Sequence, residues 1–382
     1  MTTTTVFNIN SVNQDSTLFL SEIRGLSIQR FDKPKYPQLA KLLDTGIGLF
    51  WVPEEVSMQI DAVRFRTLDK ADKHVVLSNI KRQVLLDSIM GRSPNMMFAP
   101  VCSDPILEAL IEWWSVQEMI HSKAYTHIIR NAFPDPESVL NGVMDIESIV
   151  KCSETITGIY DNCIAYGNKF YAGECTRLEA VEAIYLAIQA ANALESIRFP
   201  VSFACSFIYA ELGKLPGLGT EIGFINRDES FHVAITNTLL KILPEDDPDF
   251  KVVMSDPAVI EKVRAIWRES LLEENEWIDY LFSEGDILGL TKTTLRKYLS
   301  YVATSRLESL NIGTIEDIIG EHPDLQSTKQ NPINWINNWI NNKANQPAPQ
   351  ETELNNYERN IIDMNVDLSE ILIECGYENN NV

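Results

Sequence analysis

Seven residues of this 382-residue chain have types and spacings suited to chemistry. Glu118, His121 and Tyr125 stand at offsets of three and seven, which fall on one face of an α-helix. Ile111, Trp114, Ile128 and Ile129 make the rest of that face apolar, so it should point into a core. Glu229 and His232 repeat the E-x-x-H spacing within a second apolar stripe of Ile222, Ile225, Ile235 and Leu239. Two of the five histidines therefore carry a glutamate one helical turn earlier. Asp87 lies in an apolar stripe with Ile80, Val84 and Met90, and Glu195 in another with Ile184, Ile188, Ala191 and Phe199. A buried carboxylate needs a partner, because unpaired charge in a core is costly. The partner could be a private hydrogen bond, an ion pair or a metal ion.

The charge count favours metal. Asp87, Glu118, Glu195 and Glu229 bring four negative charges, which two divalent ions would neutralise. Carboxylates can bridge ions about 3.5–4 Å apart. Oxygen ligands with imidazole suit iron or manganese, whereas zinc would make odd use of so many carboxylates. Single acids on two bundle helices with E-x-x-H on the other two is a known way to build a dinuclear carboxylate site. Six residues on four helices agree with it, although one single acid is Asp87 where the pattern has glutamate.

The elements that would position these residues read as helices throughout, with no convincing strand or repeat. Short helical patterning at 36–46 precedes Pro53-Glu54-Glu55, which looks like the first turn of the next helix. A helix over 68–90 carries Asp87, and Ser93-Pro94-Asn95 breaks it. Asp104-Pro105 opens the helix bearing Glu118, and the prolines at 134 and 136 close it. A further helix spans 145–168, with Gly167 and Gly173 marking a turn. The run 176–211 bears Glu195 and contains Pro200, which predicts a kink or local unwinding. A loop over 213–219 leads to Thr220 as the cap of the Glu229 helix, and helices follow at 257–282 and 291–309. Residues 345–382 carry eight acidic residues against one arginine, with Pro347 and Pro349 at their start. That composition predicts a flexible tail, with residues 1–344 forming the folded domain.

A formal net charge of −22 argues against a nucleic-acid surface and against an anionic membrane. No apolar run is long enough to span a bilayer, and the first residues do not resemble a signal peptide. Six scattered cysteines without C-x-x-C suit reduced thiols in the cytoplasm.

Seven stretches together resemble the small, radical-generating subunit of aerobic class I ribonucleotide reductase, in its tyrosyl-radical branch. They are LFWVPEEV, LLDSIMGRSPN, EMIHSKAYTHIIRN, NALESIRFPVSFACSF, RDESFH, NPINWINNWI and APQETELNNY, spread from about residue 49 to 357. The resemblance implies an all-α, ferritin-like helical bundle with additional helices, acting as a homodimer with a separate large subunit that reduces the ribonucleotide. It implies two irons per chain, or manganese, held by Asp87, Glu118, His121, Glu195, Glu229 and His232. Tyr125 would become the stored radical, walled by Phe199, Phe203, Ile222 and Ile225. Trp51 and Tyr357 resemble the electron-relay residues, and Asp228 the acid behind His121, able to accept its ring N–H. Pro200 stands where an aromatic residue is familiar, and the end of the tail departs from the usual pattern. The alternatives are a free-standing di-iron oxygenase, which would need a substrate pocket but not Tyr125, and a metal-storage bundle.

Overall fold

A computed structural model describes residues 6–10, 17–21 and 26–340. In chain order the helices are α1 (Pro37–Gly48), α2 (Gln59–Arg64), α3 (Lys70–Met90), α4 (Ser93–Met97), α5 (Pro105–Ala132), α6 (Pro136–Asn141) and α7 (Glu147–Ala172). They continue with α8 (Arg177–Ala193), a π-helical turn (Leu194–Arg198), α9 (Phe199–Glu211), α10 (Pro216–Asp246), α11 (Pro248–Ser255) and α12 (Pro257–Leu281). The last are α13 (Lys292–Ser309), α14 (Ile315–Ile319) and α15 (Asn337–Ile340). Among the described residues there is no strand beyond two isolated bridges, Phe19 to Cys102 and Ile287 to Leu290. No described helix is long and apolar enough to cross a membrane.

The helix ends follow local chemistry. Asp69 caps α3 by accepting from Asp72 N, and Asp104 caps α5 through Ile106 N and Leu107 N with Pro105 next. Thr176 and Glu179 form a capping box at α8. Helices α3, α5 and α10 and the π turn close round one buried centre: α3 lies on α5 and α9, while α10 packs against α5, α8, α9 and the π turn. Helix α7 covers α8 and α3, and α12 backs α8 and α13.

The structure alters three sequence expectations. Gly167 is not in a turn, because α7 continues to Ala172 and ends at Gly173 with φ 74°. A Cβ at residue 167 would lie 2.8 Å from Val101 Cγ1, so the glycine permits close packing there. Thr220 does not cap α10, which begins at Pro216; its Oγ1 bonds back to Pro216 O at 2.9 Å. Pro53–Glu55 is a separate 3₁₀ turn before α2. The unwinding expected near Pro200 takes a definite form, the π turn just ahead of it. Proline lacks the N–H that Ser196 O would otherwise receive, and a widened turn absorbs the mismatch. The expected boundary at 344 and the tail with Tyr357 lie outside the described residues.

Candidate metal centre

Helix α3 supplies Asp87, α5 Glu118 and His121, the π turn Glu195, and α10 Glu229 and His232; all six are buried. Their ligand atoms form two groups, Asp87-Glu118-His121-Glu229 and Glu118-Glu195-Glu229-His232, each with its atoms within 4.8 Å of one another. Glu118 and Glu229 belong to both groups. His121 Nδ1 lies 3.2 Å from Glu229, 3.6 Å from Glu118 and 3.8 Å from Asp87. His232 Nδ1 lies 3.0 Å from Glu229, 3.2 Å from Glu118 and 3.7 Å from Glu195. Both imidazoles thus turn Nδ1 inward.

Their other nitrogens are fixed from outside. His121 Nε2 lies 3.3 Å from Asp228 Oδ2, and the same oxygen accepts from Trp51 Nε1 at 2.7 Å. His232 Nε2 lies 3.2 Å from Gln117 Oε1. Burial would lower both imidazoles, but the carboxylates around them, Glu229 and Glu118 among them, push them up. An Nε2–H held by an acceptor makes Nδ1 the nitrogen that would offer its lone pair to a metal once its proton leaves. Burial would raise the Asp228 carboxyl, but neighbouring Arg227 and the bonds from His121 and Trp51 hold it below the usual range.

The centre crowds four carboxylates together. Burial, then the charges of Glu118 and Glu229, push the Asp87 carboxyl well above the carboxylate range, and Glu195 is raised in the same way. Glu118 is the exception: burial opposes its ionisation, yet the imidazoles of His121 and His232 beside it hold it at about 2. Both oxygens of Asp87 and of Glu195, Glu118 Oε2, Glu229 Oε1 and His121 Nδ1 have no hydrogen-bond partner. Buried polar atoms are seldom left so. These inward-facing donors fit cations of the iron and manganese type in donor chemistry and charge.

Tyr125 is fully buried one turn beyond His121, and its hydroxyl has no hydrogen-bond partner. Burial, then the charges of Asp87 and Glu229, raise its phenol well above the usual value. Phe199 and Phe203 stack at 5.4 Å, and Ile222 and Ile225 are buried on α10. Trp51 is buried beside Phe224, ring to ring at 5.1 Å. Sequence reasoning missed Gln117 behind His232 and the bond from Trp114 Nε1 to Glu118 Oε1 at 3.1 Å. Trp114 also stacks on His232 at 5.3 Å. Its position four residues before Glu118 was the available signal.

Residues 29–315 match the family described as ribonucleotide reductase, small chain. The chain belongs to that family. It is 36% identical to the ribonucleoside-diphosphate reductase subunit beta of Haemophilus influenzae, over 91% of this chain and 93% of that protein. The corresponding subunit of Enterobacteria phage T4 is 31% identical, over 95% of this chain and 97% of that protein. Among solved structures, the ribonucleotide reductase R2 subunit from Clostridium botulinum shares the fold with a TM-score of 0.72 and 21% identity, over 88% of this chain and 98% of that one. The dimanganese(II)-NrdF of Streptococcus sanguinis gives 0.63 and 17%, over 82% and 99%. This chain is a class I small subunit with a ferritin-like fold, and membership of the family sets aside the oxygenase and storage readings. As a small subunit it implies a large-subunit partner.

Proposed function

We propose that Asp87, Glu118, His121, Glu195, Glu229 and His232 hold two iron ions, manganese being able to take the same places, and that Tyr125 is oxidised beside them and stored as a neutral radical. The radical equivalent passes to the large subunit, which reduces a ribonucleoside diphosphate. The single observation carrying this reading is the pair of overlapping buried ligand groups with the unpartnered Tyr125 hydroxyl one turn away. The relatives' descriptions as diphosphate reductase subunits support the substrate class, and the dimanganese neighbour supports manganese as the substitute.

When bound, the ions supply reduction of O₂ and, with it, the power to take one electron from a neighbouring phenol. The remaining work falls to the chain. Glu118 and Glu229, common to both groups, are placed so that each would serve both ions. Asp228 and Gln117 keep His121 and His232 in the ligating tautomer. Tyr125 would give up its electron together with its proton, for which the neighbouring Asp87 carboxylate, with both oxygens unpartnered, is the acceptor, and its burial keeps water and reductants from the product. Trp51, Asp228 and His121 form an unbroken line of hydrogen bonds from the centre. Trp51 carries the electron hole along that line, Asp228 holds its indole proton, and Tyr357 continues the relay in the tail. Residues 1–344 act as the metal domain and 345–382 as the docking segment, in a cytoplasmic homodimer.

The test is a low-temperature EPR spectrum after anaerobic Fe(II) loading and exposure to O₂. A tyrosyl signal should appear with two irons bound per chain, and Tyr125→Phe should keep the irons and lose the signal. A signal unchanged in that variant would remove Tyr125 from the role.

A further inference from the structure

A second phenol belongs to the same surroundings. Tyr160 on α7 is buried, and burial, then the charges of Glu195 and Glu118, push its hydroxyl well above the usual value. The hydroxyl donates to Met90 Sδ at 3.2 Å, and that is its hydrogen-bond partner. Met90 is fully buried one turn after Asp87 on α3. The helix end is tight against the centre, since a Cβ at residue 91 would lie 3.9 Å from Glu118 Cβ. Tyr160 therefore sits within the electrostatic reach of the ligands, as Tyr125 does.

The partner of the hydroxyl separates the two phenols. A phenol that loses an electron becomes a very strong acid, so oxidation is easy only when a base takes the proton in the same step. A thioether sulfur accepts a weak hydrogen bond and is no base. Tyr160 has its proton aimed at an atom that cannot take it. The Tyr125 hydroxyl is uncommitted, one turn beyond His121 on α5, and the Asp87 carboxylate of the same centre has both oxygens unpartnered to take a proton.

We infer that Met90 is a selectivity residue: by occupying the Tyr160 hydroxyl with a thioether, it keeps this second phenol from being oxidised in place of Tyr125. The inference rests on the proposed oxidation of Tyr125 at a metal pair. It makes a positive demand as well. Given a base in place of Met90, Tyr160 should lose one electron to the O₂-oxidised centre while its proton moves to that base, the phenol O–H breaking as an O–H or N–H forms there.

The experiment uses the full chain loaded with Fe(II), exposed to O₂ and read by EPR with ring-deuterated tyrosine. Tyr125→Phe should show almost no tyrosyl signal. Tyr125→Phe combined with Met90→Glu should show at least about tenfold more, and adding Tyr160→Phe should abolish it. Met90→His supplies an uncharged base should the buried carboxylate disturb the fold. In metal-free protein, infrared difference spectra against Tyr160→Phe should report a phenol bound to sulfur, and one bound to the new base in the variants. A signal in Tyr125→Phe that Tyr160→Phe removes would overturn the inference and leave the Tyr125 assignment standing. So would silence at Tyr160 in both base variants with two irons bound and the new hydrogen bond formed. Absence of any tyrosyl signal in the unsubstituted protein would instead sink the Tyr125 reading, and this one with it.

Discussion

Two buried clusters of charge share helix α3 and the π turn, and they are built on opposite rules. One is the proposed ligand set of four carboxylates and two imidazoles. The other joins Arg82 of α3 and Arg198 of the π turn to Glu273 and Glu274 of α12. Arg82 grips Glu274 with two bonds of 2.9 and 2.5 Å and lies 4.7 Å over the Trp277 ring. Arg198 meets Glu273 at 2.8 Å and donates to Cys152 Sγ at 2.8 Å. Two cations and two anions sum to zero, so the chain completes this cluster from its own residues. The ligand set places four carboxylates against two imidazoles with no guanidinium or ammonium, and most of its carboxylate oxygens lack hydrogen-bond partners. Asp87 is five residues from Arg82, and Glu195 three from Arg198. One pair of elements thus braces the fold on one side and leaves charge incomplete on the other. Incomplete charge marks the place for a cofactor, and complete charge marks structure.

The largest effect should come from the residue on which both ligand groups depend. Glu118→Ala removes a carboxylate common to the two. Bound iron should fall towards zero by elemental analysis, and turnover with the large subunit should drop by about a hundredfold or more. The apo fold should survive, because the packing of α5 against α3 and α10 remains. Two irons retained with normal turnover would break the contrast.

The braced cluster should respond with the opposite pattern. Glu274→Gln leaves Arg82 buried without its anion, and losing one partner of such a pair costs about 3–5 kcal/mol. Denaturant unfolding should show that loss, with iron content unchanged. The double variant Arg82→Met with Glu274→Leu should recover most of it, since a packed apolar pair replaces two desolvated charges. A double variant no better than the single would mean that packing against Trp277, and not charge, governs the cluster.

Much of the centre was legible because helical periodicity and ligand chemistry coincide. The offsets in E-x-x-H, the apolar stripes around Asp87 and Glu195, and the Asp104-Pro105 cap all lie within one turn or one face. Pro200 announced disturbed helix geometry, though not that it would be a π turn containing Glu195. What could not be read depends on contacts between distant segments. Nothing local pairs Arg82 with Glu274, Tyr160 with Met90, or Gln117 with His232. The misplaced start of α10 is a local error: Thr220 is a good capping type, but Pro216 already opens the helix and Thr220 bonds within it.

Between the two extremes lies Glu221, a buried acid with half a partner. Its Oε1 lies 2.5 Å from His127 Nδ1, while Oε2 is buried and unpartnered. Burial, then Asp61 and Glu54, push it from 4.5 up to about 9. A carboxyl raised in the fold stabilises fully below its unfolded value, and that contribution is lost as pH rises through the folded value. Stability should therefore decline between about pH 5 and 9, and Glu221→Gln should flatten the decline by about 1–2 kcal/mol, discounted because His127 shares the proton. Melting curves across that range would decide. An equal slope in the variant would show that other groups set it.

The smallest expected change is the most informative about incomplete charge. In the metal-free protein burial, then the charges of Glu229 and Glu118, push the Glu195 carboxyl well above its usual value, which favours its protonated form. Glu195→Gln replaces that favoured protonated form with a neutral group of nearly the same shape. Metal-free stability should move by no more than about 1 kcal/mol. With iron present the same substitution removes a ligand. The stabilisation conferred by the metal depends on its affinity and should shrink by about 1.4 kcal/mol for each tenfold of affinity lost. Thermal unfolding of the two proteins, each with and without iron, separates the terms: curves that nearly coincide without metal should part with it. Glu274→Gln should shift both curves alike, because its cluster never needed the ion. A metal-free penalty for Glu195→Gln as large as that for Glu274→Gln would mean that Glu195 has a protein partner, and the two clusters would then be of one kind.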